Sequence, residues 1–330
     1  VLVSALWYHS LFSWFQAWPA IRCNFSSGGH TGLKCSKRRT AVTGRCYFLN
    51  MRYRIDTLLE ERARWLSKPC MHTRALRSCL YSLLSYDETV DLAAKMQEWP
   101  SKKIMDYVGQ LLAQQVTYTG LDHIPASGPA LIVANHPTGI ADGIILSQLL
   151  TAKRPDTYFF ATSDIFRIMP PMEYLIAAVE WRIDRRTHSK TRATMAYTKQ
   201  AVEAGRLGVI FPSGRLAERR GLRLYERQWK SSPVTFARKF GVPIIPVRIE
   251  ARNSALFYLL DLVHPSLRDI TLFHETLNKY RQPYCVNIGA PIAAQDLPIK
   301  HEEAITMLYH VTLALKGTGL ERDKSLPLLH

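Results

Sequence analysis

Beyond Val116 the chain alternates short apolar runs with amphipathic stretches of helical period, separated by polar or Gly/Pro turns. Val116–Thr119, Ala130–Ala134, Thr157–Ala161, Trp181–Ile183, Leu207–Phe211, Ile244–Ile249 and Tyr284–Ile288 read as strands. Helical patterns fall at Ile140–Leu150, Ser189–Ala204, Pro233–Phe240 and Glu302–Leu315. A helical crossover lets successive strands lie parallel, whereas a tight turn makes them antiparallel. The alternation therefore predicts an α/β fold, a mixed, largely parallel central sheet flanked by helices.

Upstream the pattern is helical. Ser85-Tyr86-Asp87-Glu88 has the form of a capping box, with Val90, Ala93, Ala94 and Met96 on the stripe that follows. A second helix is expected from Ser101 through Leu112. The organisation expected is thus a leader over residues 1–50, an N-terminal helical region over 51–115, the principal domain over 116–292, and a C-terminal helix and tail over 293–330.

The leader is unusual in charge. It holds six basic residues and no Asp or Glu, so the formal net charge of +16 leaves +10 for residues 51–330. Val1–Ile21 is uncharged, aromatic-rich and long enough to cross a bilayer, but His9, Gln16, Pro19 and three serines argue against a span. No basic region precedes it as in a secretory signal, and no Arg-bearing amphipathic helix marks a transit peptide. Met51 opens a stretch of ordinary mixed charge, so residues 1–50 are expected to be an over-extended reading frame or a poorly ordered leader. Later apolar runs are broken by Asp142, Glu173 and Asp261, which makes any membrane contact of the body peripheral.

With 47% hydrophobic residues the chain can bury a substantial core, which excludes a disordered or disulfide-scaffold class. The six cysteines show no CxxC pair or zinc-type spacing and read as ordinary thiols, with no metal expected. The positive charge calls for an anionic partner: nucleic acid, a membrane surface or a phosphorylated substrate.

Chemistry concentrates where strands end. In Ala130–Gly143 (ALIVANHPTGIADG) a strand runs into Asn135-His136, and a Pro/Gly turn leads to Asp142 at the start of a helix. An imidazole at a strand end with a carboxylate behind it can accept a proton from a substrate hydroxyl, the carboxylate fixing the tautomer and favouring the imidazolium. An isolated pair of this kind more often means a capped helix and a solvated acid. This pair has company. Leu207–Arg215 (LGVIFPSGR) is a second strand entering a turn, where Gly214 permits close backbone approach and Arg215 offers a guanidinium for an anion. Glu180–Arg186 (EWRIDRR) is a short strand ending in basic residues, and the prolines of Gly241–Val247 (GVPIIPV) suit an edge strand or a groove lining.

In this order the blocks resemble those of the glycerolipid (lysophosphatidic acid type) acyltransferase family. NHPTGIAD stands for its NHx4D signature, EWRIDR for its second block, IFPSGR for its FPEGxR block and VPIIPV for its last proline block. The resemblance covers Val116–Ile292, which makes that region an acyltransferase domain. It implies transfer of a fatty acyl group from acyl-CoA or acyl carrier protein, used as co-substrate with no permanently bound cofactor, to the hydroxyl of a lysophospholipid-like acceptor. Carried over by position, His136 is the implied general base and Asp142 its orienting partner. Arg185, Ser213, Gly214 and Arg215 are the implied substrate-binding residues. Oxyanion donors are expected among the turn amides after Phe211 or near Thr138. A membrane-associated enzyme at the cytoplasmic face, peripheral rather than spanning, follows from the same resemblance.

The blocks also depart from the family pattern. Five residues rather than four separate His136 from Asp142, Ala178 replaces a Gly, and Arg182 an aromatic. Ser213 stands where the third block has Glu, and Arg215 follows the glycine directly. These departures keep open a member of the same fold that binds lipid without turnover. A basic nucleic-acid-binding module is the rival from another class, but no helix-turn-helix, RRM or KH signature is present. A hydrolase would need a G-x-S-x-G elbow, which the chain lacks.

Two arginine-rich clusters flank the second and third blocks: Arg182, Arg185, Arg186, Lys190 and Arg192, then Arg215, Arg219, Arg220, Arg223, Arg227 and Lys230. Such clusters usually form a solvated face; beside strand-end turns they also suit lipid head groups or CoA phosphates. The apolar residues from Phe166 to Leu175, and Leu256–Leu260, suit a core stripe, a membrane-dipping face or an acyl tunnel.

Overall fold

The computed structural model describes residues 36–68, 70–180, 186–221 and 223–316. The chain divides into two compact units, Val1–Val42 and Thr43–His330, and the sheet belongs to the second.

Among the described residues the main sheet has seven strands: β1 (Val116–Thr119), β2 (Ala130–Ala134), β3 (Tyr158–Ala161), β4 (Ile176–Ala178), β5 (Leu207–Ile210), β8 (Ile244–Glu250) and β9 (Tyr284–Ile288). Their order is β1-β9-β8-β2-β5-β3-β4. Every adjacent pair is parallel except β8 and β9. This is the mixed, largely parallel sheet that the alternation predicts. A small antiparallel hairpin, β6 (Glu218–Arg220) and β7 (Arg223–Tyr225), stands apart from it.

β2 shows why the sheet is two-sided. Ala130, Ile132 and Ala134 enter one core, while Leu131 and Val133 enter the other. The first core is closed by the C-terminal part of α1 (Ser36–Arg62), with α3 (Tyr86–Met96), α4 (Ser101–Leu112), α5 (Ile140–Leu150) and α10 (Pro265–Asn278). The second is closed by α7 (His188–Glu203), α8 (Ser232–Phe240) and α11 (His301–Ala314). A strand buried on both faces has no polar alternation, which accounts for its unbroken apolar run. Further helices are α2 (Met71–Leu83), α6 (Asp164–Ile168) and α9 (Ala255–Val263).

Connectivity locates the site. From β2 the chain passes through α5 to β3, crossing over β5; from β5 it passes through α8 to β8, crossing over β2. The two connections leave neighbouring strands in opposite directions and on opposite faces. A crevice therefore opens at the carboxyl ends of β2 and β5, where α/β sheets bind their ligands.

Three local expectations are corrected. Ser85 does not cap α3 with its side chain; the short link from α2 forces it to φ 48°, and its carbonyl accepts from the Thr89 amide at 3.0 Å. β8 is interior, not an edge. Its carbonyls at Pro243 and Pro246 face opposite sides, Pro243 accepting from Leu131 and Pro246 from Gly289. The missing N–H of Pro246 thus faces Gly289 on the β9 side, and costs no bond to β2. β4 forms at Ile176–Ala178, a segment not among the expected strands; the expected strand Trp181–Ile183 lies outside the described residues.

Candidate active site

Asn135 fixes the end of β2. Its Nδ2 donates to the Ile249 carbonyl at 2.9 Å and its Oδ1 accepts from the Ile249 amide at 2.7 Å, which extends the ladder to β8 by one side chain. His136 follows and is then aimed by its own backbone. Its N–H donates to Glu226 Oε2 at 3.2 Å and its carbonyl accepts from the Ala217 amide at 2.9 Å. The imidazole stacks on Phe211 at the end of β5, with ring centroids 4.2 Å apart.

Asp142 lies in the first turn of α5 and is wholly buried. Its Oδ2 is 2.9 Å from His136 Nδ1 and accepts from the amides of Thr138 at 2.9 Å and Gly139 at 3.0 Å. The residue that lengthens the spacing is absorbed in this turn by Gly139, at φ +95°. That φ favours glycine, and a Cβ there would in addition press on Leu216 Cδ2 at 3.0 Å. The carboxylate oxygen sits to one side of the ring N–H direction. Catalytic hydrogen bonds often align only when substrate is bound.

A relay stands behind the carboxylate. Thr138 Oγ1 donates to Asp142 Oδ1 and accepts from the Tyr284 hydroxyl. Burial, with the Asp142 charge as the next cause, raises the Tyr284 pKa well above its usual value, so the phenol stays a donor. Deeper still, Lys279 is fully buried, its Nζ bonded to Glu275 at 3.2 Å, Asn253 at 2.6 Å and Gln282 at 2.9 Å. Burial lowers its pKa while the charges of Glu275 and Asp142 oppose that shift.

The imidazole opens onto a cavity of about 510 Å³, within the range of ligand pockets. Its deep wall is apolar, formed by Ile55 and Leu58 of α1, Met96 of α3, Ile104 of α4, and Met169 and Met172. Its mouth carries Arg186, Lys230 and Lys190, the last paired with Glu180 at 3.1 Å. Burial lowers the Lys230 pKa, and the charges of Arg186 and Arg215 lower it further, so three cations converge beside the third block.

The structure thus brings His136 and Asp142 together. Gly214 lines the cavity at φ +61°, whereas Arg215 is not among the lining residues and acts on the site through its charge on Lys230. Ser213 is buried and donates to the Arg215 carbonyl at 2.8 Å. Arg185 lies outside the described residues. Sequence reasoning pointed to the backbone near Thr138 but missed the part its hydroxyl plays behind Asp142. It also missed Tyr284 and Glu226 as members of the site; their partners come from distant segments, and no spacing signals that.

These features define an α/β enzyme whose imidazole–carboxylate pair faces an apolar cavity with a cationic mouth, an arrangement suited to group transfer on an amphiphile. Residues 115–250 match the family model described as Acyltransferase. Two relatives are similar over 56% of this chain, both lyso-glycine lipid O-acyltransferases. That of Phocaeicola vulgatus is 24% identical, with 67% of its length covered, and that of Bacteroides thetaiotaomicron 23% identical, with 69% covered. A solved 1-acyl-sn-glycerophosphate acyltransferase from Thermotoga maritima aligns with 82% of this chain and 94% of its own, at 15% identity and a TM-score of 0.42. Residues 115–250, which hold the four blocks in order, form an acyltransferase domain, and the chain is an acyltransferase.

Proposed function

We propose that the enzyme moves a fatty acyl group from an acyl thioester, acyl-CoA or acyl carrier protein, to the hydroxyl of a lysolipid with an anionic head, at a membrane surface. The observation that carries this reading is the His136–Asp142 pair at the mouth of a cavity that is apolar inside and cationic at its rim. The relatives' names, which specify lyso-glycine lipids, support a lysolipid acceptor.

In this mechanism His136 Nε2 takes the acceptor hydroxyl proton as the oxygen attacks the thioester carbonyl carbon. The C–S bond then breaks, and the imidazolium returns the proton to the departing thiolate. Asp142 stabilises the imidazolium in between. The amides of Thr138 and Gly139 are already committed to Asp142. In the turn after Phe211, Pro212 has no N–H and the Gly214 amide donates to the Phe211 carbonyl, so oxyanion donation is assigned to the Ser213 and Arg215 amides of that turn. The test is thiol release from acyl-CoA with lysophosphatidate or a lyso-glycine lipid as acceptor; release with neither would overturn the reading. Arg215→Ala is expected to raise the acceptor KM about tenfold with kcat within about twofold, the loss of one charge-assisted contact. A pure kcat loss would remove Arg215 from the acceptor site.

Membrane contact is assigned to α9. Leu259, Leu262 and Val263 form one stripe and are 59%, 69% and 69% exposed. The arginine-bearing β6–β7 hairpin lies alongside, the Arg219 guanidinium 5.8 Å from the Tyr258 ring. An apolar stripe beside arginines suits an anionic lipid surface. No helix among the described residues is long and apolar enough to cross a membrane. Leu262→Asp is expected to weaken binding to phosphatidylcholine vesicles containing phosphatidylglycerol about tenfold, from the apolar burial lost. Unchanged cosedimentation would place the contact elsewhere.

A further inference from the structure

Glu226 follows directly on β7, in a charge-rich stretch beyond the third block, yet its carboxylate sits at the catalytic turn. Oε2 accepts from the His136 amide at 3.2 Å and Oε1 accepts from the Trp229 indole N–H at 3.0 Å. The same loop also supplies the Ala217 amide that bonds the His136 carbonyl. Both polar groups of the His136 backbone are therefore held by one segment, at the two ends of the β6–β7 hairpin. Neither contact belongs to the strand ladder. Burial raises the Glu226 pKa, and the Trp229 and His136 donors oppose that shift. Ser213 occupies the place where the third block otherwise carries a carboxylate.

We infer that Glu226 is a positioning residue for acyl transfer: it fixes the His136 backbone from the hairpin and returns to the strand-end turns a carboxylate that the third block lacks. The chain reaches the site by a different route, through the hairpin's return leg rather than through β5. Because the contact is to a backbone N–H and not to the reacting nitrogen, Glu226 sets where the imidazole stands and takes no proton in the reaction. This inference rests on the proposed role of His136.

A carboxamide tests it. Glutamine has one acceptor oxygen where glutamate has two, so Glu226→Gln cannot satisfy the His136 amide and the Trp229 indole together. The expected result is a kcat about tenfold lower with both KM values within about twofold. Adding Trp229→Phe removes the competing indole N–H and frees the carboxamide oxygen for His136, so the double variant should recover kcat to within about threefold of Trp229→Phe alone. Glu226→Asp keeps the charge but shortens the reach, and should lose kcat as Glu226→Gln does. Full activity in Glu226→Asp, a KM effect in place of the kcat loss, or no recovery in a double variant with a wild-type-like melting profile would each overturn the inference. Absence of acyl transfer by the unmodified enzyme would instead defeat the reading beneath it, and the two failures are separated by that control.

Discussion

His136→Ala is expected to lower kcat for thiol release from acyl-CoA by about 10³-fold, the usual worth of a positioned general base, with little change in either KM. The variant should fold. Both backbone contacts of residue 136, to Glu226 and from Ala217, survive the substitution, as does the Asn135 clamp on β8. What disappears is an imidazole 18% exposed and stacked on Phe211, a loss at the cavity mouth and not in either core. Circular dichroism and a melting curve check the fold, and steady-state kinetics with saturating acceptor check the chemistry. A retained rate in a folded variant would mean that the hydroxyl is activated by another group, and the proposed mechanism would fall.

Much of this candidate site is legible in the sequence because the two residues proposed to react lie on one short segment. His136 and Asp142 flank a single turn, and a strand followed by a helix brings such residues to the carboxyl end of a sheet. The anomalous spacing is legible too, since Gly139 is the one residue in the turn that tolerates φ +95° without strain. The supports are not. Tyr284 is the first residue of β9, and its hydroxyl reaches Thr138 only because β9, two strands from β2, runs antiparallel to β8 and so starts at the carboxyl ends of β8 and β2. Glu226 follows a charge-rich segment, Glu218–Tyr225, which carries no apolar alternation and so reads as a solvated cluster. Its β6–β7 pairing depends on the turn at Gly221 and on neighbours that a single sequence does not specify. β8 misleads for a related reason: which side a missing proline N–H faces is decided by strand order, and strand order is a tertiary property.

The N-terminal helices bear on the cavity in the same way. Nothing in the sequence marks Ile55, Leu58, Met96 and Ile104 as more than apolar positions, and each does pack into the core on one side. They also wall the cavity because α1, α3 and α4 cover the face of the sheet from which α5 emerges. Amphipathic period identifies a buried face but not whether that face meets side chains or a ligand. The catalytic turn and the apolar pocket are consequently built by segments far apart in sequence, and they meet only at the switch point between β2 and β5.

Asp142→Asn separates the charge of the carboxylate from its geometry. The asparagine oxygen is held in the Oδ2 position, because turning the amide over would set its NH2 group against the Thr138 and Gly139 N–H donors. The NH2 group then occupies the Oδ1 position and donates to Thr138 Oγ1. That hydroxyl can reverse and donate to Tyr284, so the relay keeps its number of hydrogen bonds with its direction inverted. The oxygen still faces His136 Nδ1, so the neutral imidazole keeps its tautomer with Nε2 free. Only the stabilisation of the imidazolium by a full negative charge is lost. The expected fall in kcat is about 10 to 10²-fold, the worth of one charge-assisted contact of roughly 1.5 to 3 kcal/mol. Backbone donors thus protect this enzyme from the tautomer switch that makes the same substitution more damaging where the carboxamide is free to turn. A loss equal to that of His136→Ala would show that the amide had turned over, and an unchanged kcat would reduce Asp142 to a cap for the turn.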